Sequence, residues 1–142
     1  MRRILGLDVG TVRVGVALSD PLGIAAQPYE VIDRRKTEPF ARIAEIISEN
    51  GVERVIVGRP LRLSGEAGPA VAAIEVFVVE LKQKIEVPIE FWDERLSTAQ
   101  AERAMIEGGA RREKRRQNID KVAAAIILQS YLDATGTPGQ EE

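Results

Sequence analysis

Four acidic residues stand where a carboxylate could do chemistry. Asp8 closes the apolar run Ile4-Leu5-Gly6-Leu7 and leads into Val9-Gly10-Thr11. Asp93 and Glu94 close a second apolar run, Ile89 to Trp92. Asp120 heads the helical pattern near the end of the chain. The 142 residues include no His and no Cys. That excludes a thiol nucleophile, an imidazole base, a Ser-His-Asp triad, a disulfide and a Cys or His zinc site. A cation held by oxygen alone is hard, meaning Mg²⁺ or Mn²⁺. Three acids from two strand ends and one helix start suit a two-metal site. Such a site activates water and steadies the leaving oxygen of a phosphodiester.

Each acid also has a plainer reading. Asp-x-Gly makes turns. Asp93-Glu94-Arg95 suits a helix cap or an ion pair, and Asp is favoured at any helix N-terminus. Strand alternation sends Asp93 and Glu94 to opposite faces, so one of them enters a site. The spacing leaves open which. Asp120, Ala123, Ala124 and Ile127 fall on one side of a helix. Small residues there predict close packing on a sheet, which would bring Asp120 to the strand ends.

Two segments suit phosphate. Gly58 to Pro69 joins a strand to a helix N-terminus and carries Gly58, Arg59, Arg62, Gly65 and Gly68. Glycines before a helix suit close approach of a phosphate, although no Gly-Lys-Ser/Thr of a Walker loop occurs. Arg59 and Arg62 favour phosphate contact. Arg111, Arg112, Lys114, Arg115 and Arg116 fill five of six consecutive positions four residues before Asp120. In a chain of net charge −2, that concentration predicts a basic loop gripping a nucleic-acid backbone.

These residues need elements to position them. Residues 3–7 and 14–19 read as a hairpin, 29–32 as a short third strand, 54–57 and 88–92 as two further strands. Helices are predicted over 39–50, 69–84, about 97–107 and from Asn118 or Asp120 to about 132. The order predicts an α/β fold, a mixed sheet with helices on both faces. Ligands bind such sheets at the carboxyl ends of central strands, which selects Asp8, Gly58 and Asp93-Glu94. With 44% apolar and 30% charged residues, residues 1–135 are read as one domain, with a polar, disordered tail over 136–142. Asp8 interrupts the first apolar run too early for a secretory signal, and the longest apolar run is too short for a bilayer. The expectation is a cytoplasmic protein with no membrane partner, acting as a monomer or weak homodimer.

The opening Ile4-Leu5-Gly6-Leu7-Asp8-Val9-Gly10-Thr11-Val12-Arg13-Val14-Gly15-Val16-Ala17 closely resembles that of the YqgF family. Those proteins are described as RuvC-like Holliday junction resolvases and as pre-16S rRNA nucleases. Val57-Gly58-x-Pro60-Leu61 with Gly65 resembles the second family motif. Asp93-Glu94-Arg95-Leu96-Ser97-Thr98 resembles the third, and Asp120-Lys121-x-Ala123-Ala124-x-Ile126-Ile127-Leu128 the last. The resemblance implies a ribonuclease-H-like fold and a metal-dependent nuclease that matures the 5′ end of pre-16S ribosomal RNA. It implies Asp8, Asp120 and an acid of Asp93-Glu94 as the catalytic set, with Asp8, Glu94 and Asp120 holding Mg²⁺ or Mn²⁺. Arg13 and Arg95, inside the motifs, join the candidate contacts to nucleic acid. At Arg59 and Arg62 the chain departs from the family's usual Leu and Asn. The alternatives are a resolvase acting on branched DNA and a non-catalytic RNA-binding assembly factor. Leu7-Asp8-Val9-Gly10-Thr11 also resembles a phosphate loop of actin-like ATPases, but those enzymes clamp nucleotide between two such domains.

Overall fold

Five strands make one mixed sheet in the computed structural model, which describes residues 3–60, 68–97 and 113–135, the side chains of 113–120 excepted. The elements in chain order are β1 (Arg3–Val9), β2 (Arg13–Ser19), β3 (Ala26–Asp33), α1 (Pro39–Asn50), β4 (Val52–Arg59), α2 (Pro69–Lys82), β5 (Ile89–Asp93), a 3₁₀ turn (Glu94–Leu96) and α3 (Glu113–Thr135). Across the sheet the strands run β3-β2-β1-β4-β5. β2 is antiparallel to β1 and to β3, while β4 is parallel to β1 and to β5. The parallel pairs are the ones whose connections carry α1 and α2, as a crossover requires. This is the predicted α/β mixed sheet with helices on both faces.

Side chains alternate along each strand, and the alternation decides which helix each residue meets. Leu5, Leu7, Val14, Val16, Val55 and Val57 join Phe40, Ile43 and Ile46 of α1 and Ile74, Phe77 and Leu81 of α2 in one core. Ala17 and Ile56 meet Ala124, Ile127, Leu128 and Tyr131 of α3 on the other face. Asp8 follows Gly6 by two residues, so its carboxylate leaves the sheet on the α3 face.

That face is built for close approach. A Cβ placed on Gly6 would lie 2.8 Å from the Leu128 Cβ and 3.2 Å from the Ala124 carbonyl oxygen. Polar anchors at both sheet edges fix α3 in that position. Gln129 accepts from the Ala26 N–H (2.8 Å) and donates to the Ile24 carbonyl (2.9 Å). The Ser130 hydroxyl accepts from the Trp92 indole (2.9 Å) and donates to the Leu96 carbonyl (3.0 Å).

Most elements differ from the sequence reading by one or two residues at an end, and three of the differences bear on the site. β1 continues to Val9, paired with Val14, so Asp8 lies inside the strand rather than in the turn. The turn itself closes with Gly10 N–H donating to the Arg13 carbonyl (2.9 Å). β3 begins at Ala26 rather than 29. It is an edge strand, which admits Pro28, and its pairing shifts register between Val16 and Ala17. The last helix begins at Glu113 rather than at Asn118 or Asp120. Lys114, Arg115 and Arg116 therefore belong to helix, not loop. Glu, Lys, Arg and Gln are good helix formers, and no Gly or Pro interrupts the run. The helix predicted over about 97–107, together with Arg62, Arg111, Arg112 and the tail from 136, lies outside the described residues. Among the described residues no helix is long and apolar enough to cross a membrane.

Gly6→Ala is expected to push α3 off the sheet and cost about 1–3 kcal/mol, as overpacking does. Urea unfolding of the variant should show an earlier midpoint. An unchanged midpoint would contradict the close packing.

Candidate active site

Neighbouring strands bring the candidate acids to one edge. In the parallel pairing of β1 with β4, Leu7 stands opposite Val57. That is the last pair between the two strands, and Asp8 and Gly58 each follow it by one residue, at the carboxyl ends of both strands. Gly58 in turn pairs with Trp92 of β5, two residues before Glu94. Glu94 folds back over this row. A Cβ on Gly58 would lie 2.8 Å from Glu94 Oε2 and 2.6 Å from Ile127 Cδ1. Gly58 thus leaves the space into which the Glu94 carboxylate and α3 both pack. The sequence suggests a phosphate-approach role for this glycine, whereas here it makes room for an acid.

Asp93, the last residue of β5, and Glu94, the first of the 3₁₀ turn, part as the sequence predicted. Glu94 is buried, 1% exposed, on the α3 face. Asp93 sits at the rim and caps the 3₁₀ turn. Its carboxylate accepts from the Arg95 backbone N–H (2.9 Å) and from the Arg95 guanidinium (2.7 Å to Nη2). The Arg95 guanidinium holds the Asp93 carboxyl below the usual carboxylate range. Ser97 completes the turn, its hydroxyl donating to the Glu94 carbonyl (3.0 Å). One acid builds the turn, and the other is delivered by it.

The backbone of α3 carries Asp120 toward the same edge. Tyr131 lies beside Arg54, and Ile127 lies beside Gly58. Moving toward the N-terminus of α3 therefore means moving toward the carboxyl end of β4. Asp120 is one turn, about 6 Å, before Ala124. Asp8 is two residues, about 7 Å, beyond Gly6, whose neighbour is Ala124. The two positions advance together past the sheet. Ala123 and Ala124 are buried, which bears out the reading that small residues let this helix lie close. Among the described residues no group of three acidic side chains forms a metal cluster; the Asp120 side chain is outside that set.

The cations are placed less uniformly. Arg59, read as a phosphate contact, donates to Glu75 (2.9 Å) and stacks 5.1 Å above the Phe91 ring. Arg95 is engaged with Asp93. Arg13 opens β2 opposite Asp33. Sequence reasoning passed over Arg34, whose guanidinium donates to the Gly10 carbonyl (2.7 Å), two residues from Asp8. The run Arg34-Arg35-Lys36 was the available signal.

Comparison with known proteins places the chain. The profile of RuvX, described as Holliday junction resolvase, matches residues 2–134. A protein of Desulforamulus reducens named "Putative pre-16S rRNA nuclease" is 51% identical over 133 residues, 93% of this chain and 97% of that one. A protein of the same name from Listeria monocytogenes is 46% identical over 136 residues, 94% of this chain and 99% of that one. The structure of Thermus thermophilus RuvC matches with a TM-score of 0.54 at 18% identity, over 95% of this chain and 98% of that one. At that identity the likeness shows the fold, the ribonuclease-H-like architecture that the sequence implied.

Loss of the Asp93 cap by Asp93→Ala is expected to cost about 1 kcal/mol at neutral pH. Because the folded carboxyl titrates below its unfolded value, its charge contributes stability above the ordinary carboxylate range. That contribution is lost as pH falls through the folded value. The difference between variant and wild type in urea unfolding should therefore narrow in acid. A gap that widens in acid would overturn the role given to Asp93.

Proposed function

The chain belongs to the RuvX family, and from that premise we propose that it is a metal-dependent nuclease that hydrolyses phosphodiester bonds to mature the 5′ end of pre-16S ribosomal RNA. The observation that carries the chemistry is that Asp8 and Gly58 each follow the last β1–β4 pair, Leu7 and Val57, by one residue, with the buried Glu94 carboxylate packed over that glycine. The names of the two relatives supply the substrate.

The residues fit a hard divalent cation. Every donor is oxygen, and the glycine at 58 leaves the Glu94 carboxylate a cradle that any Cβ would fill. Asp8, Glu94 and Asp120 would hold Mg²⁺ or Mn²⁺, which when bound supplies an activated water and positive charge beside the scissile phosphate. The chain's own part is orientation. β1 fixes Asp8 on the α3 face, and the Asp93–Arg95 turn sets Glu94. The packed Ala124 seam carries Asp120. Burial of Glu94 keeps water from competing for its carboxylate and strengthens its field at the edge. Arg13, Arg59, Arg62, Arg95, Arg111, Arg112, Lys114, Arg115 and Arg116 are the candidate backbone contacts, which position the strand without reading its sequence. In this reading the enzyme works in the cytoplasm, on nucleic acid and not on membranes.

The description of the family profile favours a second substrate, a four-way DNA junction. The same carboxylates would serve it, since both substrates present a phosphodiester.

Asp8→Asn is expected to abolish Mg²⁺- or Mn²⁺-dependent cleavage of precursor ribosomal RNA with the far-UV circular dichroism unchanged. Wild type should cut that RNA in preference to a four-way DNA junction. A folded Asp8→Asn protein that cuts at the wild-type rate contradicts the proposal, and preference for the junction reassigns the substrate.

A further inference from the structure

We infer that the phosphate-backbone contacts extend along the carboxyl edge of the sheet to its β3 side, where Arg35 and Lys36 continue the line that Arg13 begins and Arg34 braces the segment. The inference rests on the nuclease reading and adds where the substrate strand runs.

The topology puts these residues on the edge that holds Asp8. β2 is antiparallel to β1, and β3 is antiparallel to β2. The end of β1, the start of β2 and the end of β3 therefore share one edge. Arg13 pairs with Asp33 in register, and the Arg34 N–H donates to the Val12 carbonyl (2.8 Å). Adjacent strands are about 4.8 Å apart, so the end of β3 stands about 10 Å across the sheet from β1. Arg13 and Asp33 alternate with the core residues Val14 and Ile32, so they lie on the α3 face with Asp8; a strand whose phosphate lies at Asp8 would pass next over Arg13 and the Asp33-bound Arg35.

The charges and their anchoring support the same conclusion. Arg34 turns to the α1–α2 face, where the Phe77 ring lies 5.1 Å below its guanidinium, and it donates to the Gly10 carbonyl, so it braces the segment that presents Arg35 and Lys36. Arg35 is 61% exposed and bridges to Asp33 (2.9 Å). That contact holds the Asp33 carboxyl down at about 2. Asp33, 13% exposed, meets one of these cations in that bridge, so the pair does not account for the basic run. Lys36 is exposed. The segment's other carboxylate, Glu38, is used in capping α1, accepting from the Phe40 and Ala41 N–H groups. Four cations against two carboxylates leave this corner positive in a chain of net charge −2. A polyanion passing over the edge is the ligand that such a corner attracts.

The test measures binding with cleavage switched off, in full-length protein carrying Asp8→Asn. A labelled 20-nucleotide single-stranded RNA is titrated over a series of salt concentrations. Each phosphate contact to a single strand adds about −0.7 to the slope of log affinity against log salt. Adding Arg35→Ala and Lys36→Ala should weaken binding and flatten the slope by about 1.4. Arg35→Lys should keep most of the slope, because a phosphate contact needs the charge. Lys82→Ala with Lys84→Ala, near the start of β5 at the other edge, should leave the slope where it was. An unchanged slope in the Arg35 and Lys36 variant overturns the inference and leaves the nuclease reading standing. So does an equal loss in the Lys82 and Lys84 control. A parent protein that binds no RNA overturns both.

Discussion

The close seating of α3 on the sheet governs the rest of the molecule. Gly6 and Gly58 offer no side chain on that face, and Ala123 and Ala124 offer only methyl groups. The helix backbone comes near enough for the Ala124 carbonyl to crowd a Cβ on Gly6. Protein interiors are packed to crystal density, so a seam this tight has a single arrangement. Gln129 and Ser130 then fix the helix laterally by bonds to the two sheet margins. Without that seam, Glu94 would have no wall to pack against and Asp120 would ride away from Asp8.

The seam explains why acids are tolerated here. Burying a carboxylate is costly unless its charge is met by a partner or a cation. Glu94 accepts that burial at the place where the fold has already collected Asp8. Asp93, one residue earlier, takes the opposite course: it stays at the rim and uses its charge on Arg95. Two adjacent acids thus divide between shaping a turn and, in the proposed reading, supplying a ligand. The division falls at the end of β5, where Asp93 is the last strand residue and caps the 3₁₀ turn whose first residue is Glu94.

Much of this was legible in the sequence, for identifiable reasons. The strands around Leu5, Val16 and Val55 are short apolar runs bounded by turn residues, so their order could be read without the sheet. Ala123 and Ala124 announced close packing because nothing else explains small residues on the buried side of a helix. The rest depended on tertiary context. Propensity could not place the start of α3, because a basic run suits a loop and a solvated helix equally. Edge position, invisible in one chain, is what allows β3 to begin before Pro28. Alternation separated Asp93 from Glu94, but only the pairing of β4 with β5 says which one meets Gly58. Gly6 was read as part of a strand, and its role appears only once Leu128 lies above it.

The central claim is that Asp8 and Glu94 make an oxygen-ligand site for a divalent cation while Asp93 does not. The most direct measurement is Mn²⁺ binding by electron paramagnetic resonance, without substrate, in wild type, Glu94→Gln and Asp93→Asn. Wild type and Asp93→Asn should bind with similar affinity, and Glu94→Gln should lose at least tenfold, about 1.4 kcal/mol. Equal Mn²⁺ affinity in wild type and a folded Glu94→Gln protein would contradict the account.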